Sequence, residues 1–433
     1  MFTIDLCMQK IRLIIFILVI CQQVYAQRLP DQIYMQEIKT PLLFQQGNQS
    51  SLPLISLNSD EKLELHFDDF TGYPRNFYYT LVLCNADWSP ADVNPFDYIR
   101  GFLQNRLSQY RISSITSSKF VHYQALLPEN GCVPVKSGNY LLKVFLDADT
   151  TKLAFTKRMM VVDKQTVVQA QVQQTFDNAL FRTHQKLQLS VNTLNLNLLS
   201  PQQTQVVILQ NNRWDDAVKN IQPTFIRGKV LEYNSEQDCV FPAGKEYRWA
   251  DLRSFRFQSD RVDRVEKTMD QTDIYIKPDI VRNNLRYLYF QDRNGWDEIA
   301  TTESVNPWWQ TDYARVHFTF VPNNNQPFAG RSVYLLGECT GNQIGDSSLM
   351  QYDAEQGVYR KTLFLKQGYY SYTYVTRDTR NKAEKADATL TDGNFWETEN
   401  EYTVLFYYRS FSSRYDELVG VSTISSLNGR NGF

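Results

Sequence analysis

The sequence predicts an all-β protein built of tandem β-sandwiches, and three observations carry that prediction. Apolar and polar residues alternate with a period of two along much of the chain. Tyrosine and phenylalanine number 26 each, an aromatic content that suits pleated, half-buried strands. Convincing helices are few, and short strand-like runs are separated by turn residues rather than by helical crossovers, which favours sandwiches over a parallel sheet. With 433 residues, at about 150 per domain, the chain has room for about three domains, each with its own core.

The elements follow in order. Lys10 and Arg12 precede the apolar run Leu13 to Ile20, and Val24-Tyr25-Ala26 supplies a small-residue cleavage pattern, so residues 1–26 read as a signal peptide. That run falls short of the roughly 20 residues that span a membrane, and no other stretch is apolar enough to do so. Bulky Ile20 before Cys21 does not suit a lipid-attachment site. In Lys62 to Asp68, Leu63, Leu65 and Phe67 share one side, and the other side is polar. Phe77 to Cys84 is apolar on both sides and reads as an interior strand. A short helix is expected at Asn94-Pro95-Phe96, with Asn as cap and Pro at the first helical position. Asn139 to Asp147 follows a Ser137-Gly138 turn, and Lys186 to Val191 alternates cleanly. Val206 to Leu209 runs into the turn signal Asn211-Asn212. Leu285 to Phe290, Arg315 to Val321, Ser332 to Leu336, Thr362 to Leu365, Tyr369 to Val375 and Tyr402 to Tyr408 are all strand-like.

Division of the chain rests on breaks near 163 and near 307. The expected domains are therefore residues 27–163, 164–306 and 307–415, followed by a Ser/Gly/Asn-rich, mobile tail over 416–433.

Charge and motifs exclude several chemistries. The formal net charge of −2 and the absence of Lys/Arg clusters speak against nucleic acid and against charge-driven membrane binding. There is no GxSxG, HExxH, P-loop or GxGxxG motif. Four histidines are few for a hydrolase or metalloenzyme of this size. His66 and His317 alternate with apolar neighbours and are expected on the solvent side of their strands; neither His122 nor His184 has a Cys or His at metal spacing. Asp68-Asp69 and Asp215-Asp216 are adjacent carboxylates, which a strand points to opposite faces, so they do not suit paired acid/base work. The second pair reads as a solvated loop.

Four cysteines follow residue 26: Cys84, Cys132, Cys239 and Cys339, with no CxxC pair. An oxidising compartment permits a Cys84–Cys132 disulfide; the alternative is that Cys84 is a small buried thiol on its strand. Among the seven tryptophans, Trp308-Trp309 is a candidate partner contact, because an extended chain turns one of the two away from the core. The alternative places one in a core and one at a domain interface.

Two resemblances sharpen this reading. Leu65-His66-Phe67-Asp68-Asp69, Tyr78 to Trp88, Asp97-Tyr98-Ile99-Arg100-Gly101-Phe102, His122-Tyr123-Gln124 and Ser137 to Leu142 occur in an order that resembles the first domain of the plug protein of the type IX secretion system of Bacteroidetes. Leu83 departs from the His expected before the cysteine. Trp396 to Tyr402 and Arg414 to Leu418 are similar to the C-terminal part of that family. Val333 to Glu338, Gly357-Val358-Tyr359 and Leu365 to Tyr372 resemble the immunoglobulin-like sandwich of glycogen- and starch-binding modules, implying tandem immunoglobulin-like β-sandwich domains. Such modules carry a Trp soon after the Gly-Glu turn, where Cys339-Thr340-Gly341-Asn342-Gln343 offers no aromatic.

The plug resemblance implies a periplasmic protein that closes the periplasmic mouth of the large outer-membrane β-barrel translocon by protein–protein contact. It implies no cofactor, no metal and no catalytic residue. The alternative from the second resemblance is a periplasmic carbohydrate-binding protein.

Overall fold

The computed structural model describes residues 30–427, apart from 194, 270, 382 and 383. The expected signal peptide, residues 1–26, lies outside the described residues. Among the described residues no helix is long and apolar enough to cross a membrane.

Three β-sandwiches account for nearly all of the described chain. In the first, a four-stranded sheet runs in the order Ile38–Gln45, Leu63–Asp69, Val121–Leu127, Gln109–Ile112. It faces a five-stranded sheet ordered Leu54–Ser56, Leu153–Val162, Gly138–Leu146, Phe77–Cys84, Asn105–Arg106. Leu63, Leu65 and Phe67 point inward against Phe77, Tyr79, Tyr140 and Phe155, as their alternation requires. The expected helix is a single turn, Pro95–Tyr98, and the Asn94 side chain accepts a hydrogen bond from the Phe96 amide at 3.1 Å.

The second sandwich is assembled from two distant pieces of chain. One sheet runs Val167–Gln173, His184–Asn192, Val230–Tyr233, Phe225–Arg227. The opposite sheet runs Val218–Lys219, Thr204–Gln210, Glu401–Tyr408, Glu417–Ser425. Thr204–Gln210 pairs antiparallel with Glu401–Tyr408, from Thr204 opposite Tyr408 to Gln210 opposite Tyr402. The last strand closes the sandwich at Gly420, where a Cβ would lie 2.2 Å from Thr166 Oγ1, closer than any side chain tolerates.

The third sandwich is an insertion in the second. Its strands lie between Arg248–Asp251 and Gly368–Asp378, in sheets ordered Arg248–Asp251, Gly368–Asp378, Glu298–Ile299 and Val262–Lys267, Thr272–Ile276, Tyr313–Val321, Val358–Lys366, Gln351–Asp353. The two chain crossings into it are bonded together: the Phe395 amide donates to the Gly244 carbonyl at 3.0 Å, and the Gly244 amide to Asn394 Oδ1 at 2.9 Å.

This arrangement corrects the expected division at 307 and, as far as residue 427, the expected tail, whose residues 428–433 lie outside the described residues. Strands after residue 400 complete the second sandwich rather than the third, and Glu417–Ser425 is a paired strand, not a loose end. The cause is the ladder between Thr204–Gln210 and Glu401–Tyr408, whose partners are about 200 residues apart and leave no local trace. Leu285 to Phe290 is not a strand but an irregular segment.

The sheet holding Thr204–Gln210 is covered on both faces. Val206, Ile208, Val404 and Phe406 enter the core of the second sandwich. Val207, Leu209, Leu405, Tyr407 and Leu418 turn the other way and pack on Cys84, Ala86, Leu141, Met160 and Val162 of the first. Burying side chains of this size contributes about 1.5–3 kcal/mol each, so the seam resembles a core rather than a transient domain contact. We predict that Leu405→Ala, fully buried at this seam, lowers stability by about 2–5 kcal/mol in urea unfolding. A loss below ~1 kcal/mol would contradict a core-like seam.

Candidate functional site

The strand Leu63–Asp69 sends Leu63, Leu65 and Phe67 into its own core, so Glu64, His66 and Asp68 stand on the outer face. The third sandwich covers that outer face. Its Lys366, at the end of Val358–Lys366, forms an ion pair with Asp68 Oδ2, and both side chains are 1% exposed. Tyr313 donates its hydroxyl to the same oxygen at 2.6 Å and meets Thr40 Oγ1 at 2.8 Å. Lys366 also donates to the Trp308 carbonyl at 2.5 Å.

A line of hydrogen bonds leads outward from this pair. His122 Nδ1 donates to Asp68 Oδ1 at 2.7 Å, His122 Nε2 meets His66 Nδ1 at 3.1 Å, and His66 Nε2 meets Glu64 Oε2 at 3.3 Å. Three bonds in a row need three protons, and two neutral imidazoles carry two. The row therefore has room for one more proton and no further one, since a fourth would set two N–H groups face to face.

Electrostatics follow the same geometry. Burial alone would raise the Asp68 carboxyl, but Lys366 and the His122 hydrogen bond outweigh it and hold the group below the usual carboxylate range. Burial pushes His122 down to about 4, against the opposing pull of Asp68. Burial likewise lowers His66, with Glu64 opposing.

Aromatic packing closes the seam. The Trp308 ring stacks on His66 at 3.7 Å between centroids and on Phe44 at 6.2 Å. Phe70 meets Phe364 and Tyr313 edge-on. Backbone amides of Ser117 and Ser118 donate to Asp312 at 2.8 and 3.0 Å, and that of Ser114 to the Trp309 carbonyl at 2.9 Å.

The structure thus gives each expected residue a place. Trp308 and Trp309 are both half-buried, and the surface they dock on is this chain's own first sandwich. His66 is buried rather than solvent-facing, because the third sandwich covers its strand. His317 does stand on an outer face, bonded to Asp273 at 2.7 Å and to Thr362 at 2.9 Å. Asp68 and Asp69 do point apart, Asp69 pairing with Arg75 at 2.6 Å. Asp215 and Asp216 are tied to Arg213, and Asp216 also to Lys385, so that loop is anchored rather than merely solvated.

Cys84 and Cys132 both carry free, buried thiols, so of the two alternatives the structure holds the buried thiol rather than the disulfide. They lie in different cores: Cys132 among Tyr79 and Tyr140 inside the first sandwich, Cys84 on the seam with the second. Burial pushes the two thiols up to about 11 and about 12.

Among the described residues no three His, Cys, Asp or Glu side chains are arranged to hold a metal ion. A cleft of about 450 Å³ on the third sandwich is lined by Asp346, Leu349, Gln351, Arg360, Lys361 and Thr362; it presents no aromatic ring for a sugar to stack on. A second buried ionic network, Arg248 between Asp279 and Asp392 at 2.8 and 2.5 Å, lies wholly within the third sandwich. Sequence reasoning missed Lys366, Tyr313 and Asp312, which are ordinary strand and loop residues until the first sandwich is laid against them.

A family model described as the type 9 secretion system plug protein 1st domain matches residues 38–163. A hypothetical protein from Parabacteroides merdae, solved by crystallography, is similar at 30% sequence identity with a TM-score of 0.87, over 92% of this chain and 99% of that one. No curated protein matches the sequence.

Two outcomes are expected. Lys366→Met leaves the Asp68 carboxylate buried without its cation and costs about 3–5 kcal/mol in chemical denaturation, whereas adding Asp68→Asn recovers much of it; equal losses in single and double variants would show the pair is not coupled. The His122 value of about 4 lies below that of an unfolded histidine, so its contribution is present above about 6.5 and lost as pH falls toward about 4. The stability difference between wild type and His122→Gln should therefore shrink across that window, and a difference independent of pH would contradict a neutral, buried His122.

Proposed function

We propose, from the match of residues 38–163 to the first domain of the type 9 secretion system plug protein, that this chain is the periplasmic plug of the outer-membrane translocon, closing the pore by protein–protein contact without catalysis. The observation that supports this reading most is mechanical. The second sandwich is threaded twice, the third is inserted in it, and the first is held to both by an apolar seam and a buried ionic one. An occluding body has to resist passage without deforming, and three sandwiches locked in this way move as one unit rather than as beads on a linker.

The surface suits reversible contact. The net charge is small, and large apolar side chains are scattered over the exposed surface, so docking by shape and local contacts is favoured over a strong electrostatic field. A carbohydrate-binding role lacks support in the third sandwich, whose cleft holds no stacking ring.

The test is an affinity pull-down of the tagged full chain from solubilised envelope, with co-purifying proteins identified by mass. Recovery of a very large outer-membrane β-barrel protein is the expected result. Recovery of polysaccharide-handling proteins instead, or of no partner, would overturn the plug reading.

A further inference from the structure

The turn Glu338–Thr340 lies beside the strand Glu298–Ile299, where Ile299 exchanges hydrogen bonds with the Gln49 side chain of the first sandwich at 2.8 and 3.1 Å. Gly337 precedes it at a spot where a Cβ would lie 2.4 Å from the Ser371 carbonyl, so the turn is pressed against the strand Gly368–Asp378. Just beyond it, Asn342 donates to the Asn211 carbonyl of the second sandwich at 3.0 Å. Lys157 of the first sandwich pulls electrostatically on Glu338, and Asp31 opposes it.

Against Glu338 stands a second carboxyl. The Asp297 amide donates to Glu338 Oε2 at 3.0 Å, and Asp297 Oδ1 accepts from the Ser371 amide at 3.3 Å. Asp297 is buried and Glu338 half-buried. Among the described residues neither carboxyl has a cation within ion-pair distance: Lys157 is 4.0 Å from Asp31, which is also paired with Arg158. The remaining titratable groups that act on the pair are Arg293, which pairs with Glu298, the Cys339 thiol, and the Tyr370 hydroxyl, which donates to the Lys366 carbonyl. Two acids are thus enclosed together with only cations already engaged elsewhere to balance them, Lys157 beside Asp31 and Arg293 paired with Glu298. Such a pair accommodates one negative charge and resists a second.

We propose that this three-way seam is a proton-sensitive joint, in which a proton retained by the Asp297–Glu338 pair keeps the 338–342 turn seated and its loss as pH rises toward neutrality loosens that seat. Burial raises both groups, Asp297 well above the ordinary carboxylate range and Glu338 to about 7. A carboxyl held tighter to its proton in the folded state stabilises in acid and loses that contribution as pH rises from the ordinary carboxylate value to about 7. This sign is opposite to that of the His66–His122 seam, so the two are separable by variant. The joint is a property of the fold and stands whether or not the plug reading holds.

Amide hydrogen exchange on the full chain, corrected for intrinsic exchange chemistry and measured at several pH values from the ordinary carboxylate range to just above neutrality, tests it. Protection of the peptides covering 295–299 and 338–342 should fall as pH rises from the ordinary carboxylate range to about 7, by at most about tenfold per pH unit, the slope of one proton, and level off beyond it. Glu338→Gln, which mimics the protonated form, should keep its protection across the range, and Asp297→Asn should do the same if the first variant folds poorly. Flat protection in the wild type, or the same loss in both variants as in the wild type, would overturn the proposal.

Discussion

The antiparallel ladder between Thr204–Gln210 and Glu401–Tyr408 is the constraint on which the rest of the molecule depends. It forces the chain to finish the second sandwich only after the third has been made. Because Val206 and Ile208 face one way and Val207 and Leu209 the other, this one sheet is the shared wall of two cores. Removing the ladder would expose both faces at once, and the third sandwich would lose the fixed spacing of its two attachments at Gly244 and Phe395.

The two polar seams differ in kind from that wall. Asp68 and Lys366 are opposite charges taken out of water together, so their desolvation is offset only while the partner stays in place. Asp297 and Glu338 are like groups enclosed together, so burial is tolerated only while protonation keeps one neutral. Apolar packing sets how strongly the sandwiches adhere, while these directional groups fix register, since Asp68 finds its hydrogen-bond partners in one relative position only.

Much of the fold was legible in the sequence, and particular residues show where legibility ends. Leu63, Leu65 and Phe67 declared the inner face of their strand, and Asn94 declared the helical turn it caps. His66 and Asp68, on the opposite face, read as solvent-facing because nothing nearby indicates that Trp308, Tyr313 and Lys366 will cover them. A signal was present in Val206-Val207-Ile208-Leu209, apolar on both sides as a doubly covered strand must be. What no local pattern supplies is the identity of the partner strand some 200 residues away. The free thiols of Cys84 and Cys132 follow the same rule: sequence places both in one domain, but only the direction of each side chain decides whether they meet.

Under the proposed plug role, closing and opening would involve the whole body rather than one hinged domain. Differential scanning calorimetry of the full chain tests this most directly. One transition is expected, with the calorimetric enthalpy equal to the van't Hoff enthalpy, because no sandwich has a boundary free of the others. A separate transition in which the inserted third sandwich melts while the other two remain folded would contradict the account of a single interlocked body.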